Sequence, residues 1–401
     1  MNKITVLGDI MVEPPFLAQV ATENGYDFRP SFSPLKNILA DSDYVIGNLE
    51  TPLAGEAAGY TQRIVTFNAP DCLLDALKDA GINAVCTANN HCLDRGYEGL
   101  KRTVETLDRY GIAHTGTYPA DFEGQRVHYF TVGDTKVALI SYTFSTNATI
   151  NGCVLDEDKK DCVNLLHPQI GAPGFYKPLP ASYFDTMAYM EELLGRKLIW
   201  EETIKLKLAM HMPVPIIDNV IAEEIQDACF ENVQRDYLEA RKHADLVLFC
   251  PHSGGQFNEE PGAYTMRLVK KCADLGFDGV FAAHSHTTQR ADMINGIPCF
   301  YSIGNVSMSA DTFYSVPECL PTYGLAVHLY IEDRKIRDLT FSIIKMVEDP
   351  GVPMRIVPVD VLYRELSGDA RKVLVEEVSR VYTRVTGREI PSDIPCREYK
   401  L

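Results

Sequence analysis

Short apolar runs alternate with segments of helical apolar spacing over most of the chain. Each short run predicts a buried strand, and each longer segment with apolar residues three or four positions apart predicts a helix. In the first half, strands are predicted over residues 4–7, 44–46 and 84–87, helices over 71–80 and 97–110, and a hairpin over 126–132 and 136–142. In the second half, helices are predicted over 223–243, 264–275 and 369–385, and strands over 246–250, 279–282, 298–303, 323–331 and 336–344.

This alternation predicts an α/β fold. Strands separated by helices favour a largely parallel sheet covered on both faces, and the hairpins add antiparallel strands at its edges. We therefore predict a layered α/β/α sandwich, with a mixed sheet and helices on both faces. Residues 147–220 interrupt the alternation and are predicted to form an insertion or lid with a helix over 181–194. The core is predicted to comprise residues 1–146 and 221–348, and residues 349–401 a C-terminal extension with a helix.

Five of the predicted strands end in residues that can bind a metal ion. Open α/β sheets bind their ligands beyond the carboxyl ends of the strands, so these five ends should meet at one site. In extended backbone, His284 and His286 would project to the same side. The residues at the five strand ends are Asp9, Glu50, Asn90, His91, His252, His284 and His286.

Two carboxylates, one amide and three imidazoles form the predicted ligand set. Mixed oxygen and nitrogen ligands suit Mn, Zn or Fe, and six ligands suit two divalent ions that share one carboxylate, for which we select Glu50. Taken singly, each residue is also typical of a turn, a helix cap, a charged surface or a hydrogen-bonded loop. Their common position at strand ends favours the metal site.

Further polar residues are predicted around these ligands. Because Asn90 and His91 are adjacent, one can bind a metal while the other faces a substrate. Asp94 either orients the His91 ring or caps the next helix, and His114 either lines the pocket or is simply hydrogen-bonded. Asn48, Asn89, Ser253 and Asn305 are also predicted to line a substrate pocket.

The composition argues against some classes of binding partner and location. The formal net charge of -17 argues against a protein that binds nucleic-acid backbones. No stretch approaches the roughly 20 apolar residues that a membrane helix needs. The eleven cysteines form no CxxC pair, which predicts a reducing, cytoplasmic location. We expect a small-molecule or polymer substrate, and we expect the protein to bind neither nucleic acid nor a membrane. The oligomeric state stays open.

The ordered motifs resemble a known family. They are GD at residues 8–9, GNLE at 47–50, ANNH at 88–91, PHSG at 251–254, AHSH at 283–286 and FYSIGN at 300–305. Together they resemble the CapA-type poly-γ-glutamate capsule synthesis family of the calcineurin-like metallophosphoesterase superfamily. The resemblance covers roughly residues 1–145 and 225–310 and implies the layered sandwich of that superfamily.

The resemblance also implies roles for the strand-end residues. One metal would be bound by Asp9, Glu50 and His286, and the other by Glu50, Asn90, His252 and His284. His91 would assist departure of the leaving group. Met11 stands where many phosphoesterases carry a second Asp or His, and Glu50 stands where they usually carry Asp.

The activity implied is hydrolysis of a phosphate ester by a water that two metal ions activate. Two alternatives stay open. The chain could hydrolyse γ-glutamyl amide bonds, or it could be a non-catalytic, metal-stabilised accessory protein in capsule polymer synthesis.

Overall fold

Two β-sheets stack face to face at the centre of the protein. The computed structural model describes residues 1–61, 66–169, 181–198, 202, 206, 223–312, 315–390 and 395–401. The larger sheet runs in the order Arg355–Pro358, Lys335–Val347, Tyr323–Glu332, Asn2–Ile10, Tyr44–Leu49, Ala84–Cys86, Ala113–Thr115. Asn305–Ser307 pairs with its Asn2–Ile10 strand, and Tyr399–Lys400 pairs with Lys335–Val347.

The smaller sheet runs in the order Ala291–Ile294, Ile297–Phe300, Gly279–Phe281, Leu246–His252, Thr135–Thr143, His128–Val132. Its four central strands are parallel to one another, as are the strands from Asn2–Ile10 to Ala113–Thr115 in the larger sheet. Each sheet therefore gathers the carboxyl ends of its parallel strands at one edge. A separate pair of short strands, Ala21–Thr22 and Gly25–Tyr26, completes the described β-structure.

The apolar core between the sheets explains why they stack. Ile4 and Val6 of the larger sheet lie in one buried cluster with Leu246 and Leu248 of the smaller sheet. Each side chain of this size contributes about 1.5–3 kcal/mol when it leaves water. The outer face of each sheet packs against helices in a second and a third cluster. The layers are therefore helix, sheet, sheet, helix.

In the described ranges the structure has α-helices at Pro14–Gln19, Arg29–Phe32, Lys36–Leu39, Leu73–Ala80, Gly96–Tyr110, Ala148–Asn151, Ala181–Leu194, Glu223–His243, Ala263–Leu275, Val359–Glu365 and Gly368–Thr386, among others. Single 3₁₀ turns occur at Ser33–Leu35, Glu56–Ala58, Lys160–Cys162 and Pro317–Cys319. None of the helices in the described part of the chain has the length and apolar character needed to cross a membrane.

The predicted α/β class is confirmed, with mixed sheets and helices on both outer faces. The structure adds that two sheets, rather than one, lie between the helical layers. Separate sheets could not be distinguished from the sequence, because strands buried on both faces have the same apolar pattern in either arrangement.

The predicted division into core, insertion and extension stays a prediction. Residues 170–180 and most of 199–222 of the insertion lie outside the described residues, whereas the helix Ala181–Leu194 has the predicted bounds. In the C-terminal segment, Arg355–Pro358 pairs with the larger sheet, and Gly368–Thr386 contributes Leu374 and Val378 to the apolar cluster between the sheets.

Candidate metal centre

Asp9 lies near the end of the first strand, where the backbone makes an unusually close contact. The Asp9 amide donates to the carbonyl of Gly304 at 3.0 Å, and a Cβ atom at Gly8 would lie 1.8 Å from that carbonyl oxygen. Only glycine permits this approach. The Gly-Asp pair thus fixes the fully buried Asp9 carboxylate beside the neighbouring strand that leads to Glu50.

Glu50 follows the strand Tyr44–Leu49 directly, and its amide donates to the carbonyl of Ile10 at 3.0 Å. Its side chain is completely buried. Among the described residues, neither carboxylate oxygen of Glu50 accepts a hydrogen bond. A buried carboxylate without donors is costly, so this position calls for a positive partner.

Asn90 and His252 bring the two sheets together at this point. Asn90 follows the strand Ala84–Cys86 of the larger sheet, and His252 ends the strand Leu246–His252 of the smaller sheet. Nε2 of His252 lies 2.7 Å from Oδ1 of Asn90 and 3.3 Å from Oε1 of Glu50. Atoms from three strand ends therefore meet within contact distance.

The His284–His286 segment completes the cluster, although its backbone is not extended as predicted. The φ angles of His284 and His286 are 109° and 54°, so both residues have left-handed conformations that non-glycine residues rarely adopt. The ring nitrogens still reach the cluster. Nδ1 of His284 lies 3.1 Å from Nε2 of His252, and Nε2 of His286 lies 3.8 Å from Oε1 of Glu50.

These residues form two groups that could each hold a metal ion. One comprises Glu50, His252 and His284, and the other comprises Asp9, Glu50 and His286. Within each group the ligand atoms lie within 4.8 Å of one another. Ligands about 2.0–2.2 Å from one ion lie at most roughly 4.4 Å apart, so small side-chain adjustments suffice. The unpartnered Glu50 oxygens, common to both groups, fit a cation.

Burial and charge set the protonation of these groups. Burial, followed by the negative charge of Asp9, raises the pKa of Glu50 well above its usual value. Burial would also raise the pKa of Asp9, but contact with His286 and the charge of His252 lower it overall. Burial lowers the pKa of His252 to about 3 and lowers that of His284 as well. Neutral imidazoles have the free electron pair that a metal needs.

His91 and Asp94 lie directly beside the ligand cluster. Oδ2 of Asp94 lies 2.6 Å from Nδ1 of His91 and accepts the Phe67 amide at 2.7 Å, whereas the cap residue of the next helix is Arg95. Of the two roles considered for Asp94, the structure therefore shows the contact with His91. The rings of Phe67 and His91 stack with centroids 4.2 Å apart. The other ring nitrogen, Nε2 of His91, lies 4.0 Å from Oε1 of Glu50.

Three of the residues predicted to line a substrate pocket contact the ligands or their strands. Asn48 donates to Oδ1 of Asp9 at 2.7 Å, and Asn89 donates to the carbonyl of Leu49 at 2.7 Å. Oδ1 of Asn305 lies 3.1 Å from Nδ1 of His286. The Ser253 hydroxyl is buried without a hydrogen-bond partner among the described residues.

The structure does not bring His114 into this cluster. Its Nε2 atom lies 3.1 Å from Oδ1 of Asp108, at the C-terminal end of the helix Gly96–Tyr110. His114 sits within the edge strand Ala113–Thr115 rather than beyond its carboxyl end. The hydrogen-bonded role considered for His114 is therefore the one that the structure shows.

Besides Phe67, further residues near the site were not predicted. Nδ2 of Asn147 lies 3.5 Å from Nε2 of His91, and Asn151 donates to Oδ1 of Asp94 at 3.4 Å. The Phe144 ring lies 4.7 Å from the ring of His284. Phe144 directly follows the strand Thr135–Thr143, so a sixth strand end was the available signal. It was missed because aromatic and amide residues at that end do not resemble a ligand set.

Several known proteins are similar to this chain in sequence. The chain is 24% identical over 320 residues to an uncharacterized protein, y4uA, of Sinorhizobium fredii, covering 75% of this chain and 65% of that protein. It is 22% identical over 302 residues to the PGA biosynthesis protein CapA of Bacillus subtilis, covering 75% and 61%. The capsule biosynthesis protein CapA of Bacillus anthracis is 22% identical over 305 residues, covering 75% and 58%.

The chain thus spans less than two thirds of the length of these curated relatives. Among solved structures, a hypothetical protein from Thermus thermophilus aligns with 14% identity and a TM-score of 0.38, over 89% of this chain and 97% of that chain. A family model described as bacterial capsule synthesis protein PGA_cap matches residues 3–309, which confirms the resemblance found in the strand-end motifs. The protein therefore belongs to the bacterial capsule synthesis protein PGA_cap family.

Proposed function

We propose that the protein is a metal-dependent hydrolase that cleaves a phosphate ester with the aid of two divalent ions. The observation that supports this most directly is the Glu50 carboxylate. It is fully buried, accepts no hydrogen bond from the described residues, and belongs to both groups of potential ligands. A carboxylate in this position is suited to bridge two cations.

Asp9, Glu50 and His286 would hold one ion, and Glu50, Asn90, His252 and His284 the other. The oxygen and nitrogen donors suit Mn, Zn or Fe. Bound ions of this kind lower the pKa of water and offset the negative charge of a phosphate ester.

We assign proton transfer to His91. Its Nδ1 atom is held by Asp94 at 2.6 Å, so its Nε2 atom, 4.0 Å from Glu50, is the one directed toward the ligands. In the protonated ring, Nε2–H can donate a proton to the leaving oxygen, while the Asp94 carboxylate stabilises the positive charge. The Phe67 ring stacked on His91 fixes the plane in which that proton is presented.

The substrate that we propose is a small molecule or a polymer other than nucleic acid. The net charge of -17 opposes binding of a polyanionic backbone away from the metal ions. A second candidate, hydrolysis of a γ-glutamyl amide, is favoured by the name of one relative, a PGA biosynthesis protein. The third candidate is a non-catalytic accessory protein, which would bind the metal ions but hydrolyse neither a phosphate ester nor a γ-glutamyl amide.

The test combines metal analysis with a substrate screen on the full chain. Protein purified without chelator should contain close to two equivalents of Mn, Zn or Fe, and should release nitrophenol from bis-nitrophenyl phosphate. His252→Ala should lose both properties, whereas His114→Ala, whose ring binds Asp108, should keep both. Release of glutamate from a γ-glutamyl peptide without release of nitrophenol from the phosphodiester would favour the second candidate. A full metal complement with neither reaction would favour the third, and absence of metal under all loading conditions would refute the proposal.

A further inference from the structure

Arg384 connects the C-terminal helix to the segment that carries two of the ligand histidines. It lies near the end of the helix Gly368–Thr386, and its side chain is only 7% exposed. Nη1 of Arg384 donates to the hydroxyl of Thr287 at 2.8 Å and to the carbonyl of Cys319 at 2.9 Å. Thr287 directly follows His286, so the contact reaches the backbone beside a proposed ligand.

The segment that Arg384 contacts has a strained backbone. His284 and His286 both have positive φ angles, which are unfavourable for residues with a side chain. Such conformations persist only where the surrounding contacts hold them. Two side-chain bonds act here: the Ser285 hydroxyl donates to the carbonyl of Thr287 at 2.7 Å, and the Thr287 hydroxyl donates to the carbonyl of Cys319 at 2.6 Å.

Arg384 completes this network from outside the segment. A guanidinium presents several donors in one fixed plane, so Nη1 can serve a hydroxyl and a carbonyl while Nη2 faces a carboxylate on another side. The Nη2 atom pairs with the carboxylate of Glu259, which supplies the opposite charge. Arg380, one turn earlier on the same helix, also lies 3.5 Å from Glu259, but it is half exposed and donates to Glu318 instead of Thr287.

We propose that Arg384 is a positioning residue that holds the segment from His284 to Thr287 in its metal-binding conformation. The C-terminal helix, which lies beyond residue 309 where the family match ends, is then part of the metal centre. This inference rests on the proposed function only in taking His284 and His286 as metal ligands.

The test compares Arg384→Ala with Arg380→Ala in the full chain, using Zn²⁺ as the probe. Metal affinity is measured by titration, and folding is checked by circular dichroism. Loss of a residue that orients a ligand typically lowers metal affinity by about 10–100-fold, so a decrease of that size is expected for Arg384→Ala and not for Arg380→Ala. Guanidinium ion, at concentrations far below those that denature, should restore part of the affinity of Arg384→Ala. Wild-type affinity in a folded Arg384→Ala protein would overturn the proposal.

Two further variants and one metal-free measurement keep the test decisive. If Arg384→Ala does not fold, Arg384→Lys loses the fixed plane of donors, and Thr287→Val loses the hydroxyl that accepts from Arg384, both with less loss of packing. Unchanged zinc affinity in both variants would overturn the proposal. Hydrogen exchange on the metal-free protein separates this inference from the proposed function. Faster exchange of amides 284–288 in Arg384→Ala than in Arg380→Ala would support it even if the wild-type protein bound no metal, and equal exchange would count against it.

Discussion

Nε2 of His252 lies 2.7 Å from Oδ1 of Asn90, a residue 162 positions earlier in the chain. Asn90 follows a strand of the larger sheet and His252 ends a strand of the smaller sheet, so their contact shows how the stacked sheets converge at their carboxyl edges. Glu50 lies beside them with both oxygens free of hydrogen bonds from the described residues. The site therefore lies where the two sheets meet. Substitutions at this site should change both metal binding and the free energy of unfolding.

Glu50→Gln should stabilise the metal-free protein and abolish metal binding. The carboxyl of Glu50 is buried without donors, so replacing it with an uncharged amide should raise the free energy of unfolding by about 1–3 kcal/mol at neutral pH. The wild type should gain stability when metal is added, and the variant should not. Urea unfolding with chelator and with metal measures both effects.

Glu348→Gln is the matched control for Glu50. Its two carboxylate oxygens accept hydrogen bonds from Gln19, Ser309 and the backbone N–H of Ala310. Replacing this carboxylate with the side-chain amide of glutamine should therefore lower the free energy of unfolding. Equal changes in unfolding free energy for the two variants would contradict the role assigned to Glu50.

His91→Ala should keep metal and lose turnover. His91 contacts Asp94 and stacks on Phe67 and is not a proposed ligand, so the metal content should equal that of the wild type. Loss of a general acid typically lowers kcat by about 10²–10⁴-fold. Asp94→Asn should give a smaller loss. Metal analysis and steady-state kinetics on the same preparations distinguish a general acid from a metal ligand. If metal content falls in proportion to the rate, His91 is a ligand instead.

Asn147→Gly should weaken substrate binding without affecting the metal ions. Nδ2 of Asn147 lies 3.5 Å from Nε2 of His91, and the residue has a φ of 51°. Glycine tolerates that backbone conformation, so this variant removes the amide alone, whereas Asn147→Ala also adds strain. We expect KM to rise by about tenfold in both, equivalent to one lost hydrogen bond, and unfolding free energy to fall only in Asn147→Ala. Unchanged KM in Asn147→Gly would exclude substrate contact by this side chain.

The free energy of unfolding of the metal-free protein should fall as pH rises, because Glu13 loses a proton. Burial raises the pKa of Glu13 from 4.5 to about 8, and within the described residues only Oε1 of its carboxyl has a partner, the Thr312 hydroxyl at 3.1 Å. Because the folded state holds this proton more tightly than the unfolded state, the stabilising contribution is complete below pH 4.5 and is lost as pH approaches 8.

Each pKa unit corresponds to about 1.4 kcal/mol, so the loss across this range should amount to about 3–5 kcal/mol. Glu13→Gln cannot titrate and should lack this part of the pH dependence. The measurement is urea unfolding of both proteins in chelator at several pH values between 5 and 8. Parallel stability curves for the two proteins would show that Glu13 does not titrate as expected.

Local sequence patterns sufficed to predict the α/β class, the positions of the main helices and strands, and the strand-end residues that meet at the candidate site. Apolar periodicity locates strands and helices, and parallel strands must present their carboxyl ends together, so the sequence alone groups Asp9, Glu50 and His252. These are local patterns or direct consequences of strand direction.

How these elements combine depends on packing between segments that are distant in the sequence. The stacking of two sheets, the left-handed backbone at His284 and His286, and the contacts of Asn147 and Arg384 depend on which distant segments pack together. His114 shows the same limit, because its position within an edge strand rather than beyond it turns its ring toward Asp108. Periodicity specifies which face of an element is buried, but not which partner covers that face, and the partner is chosen by packing over the whole chain.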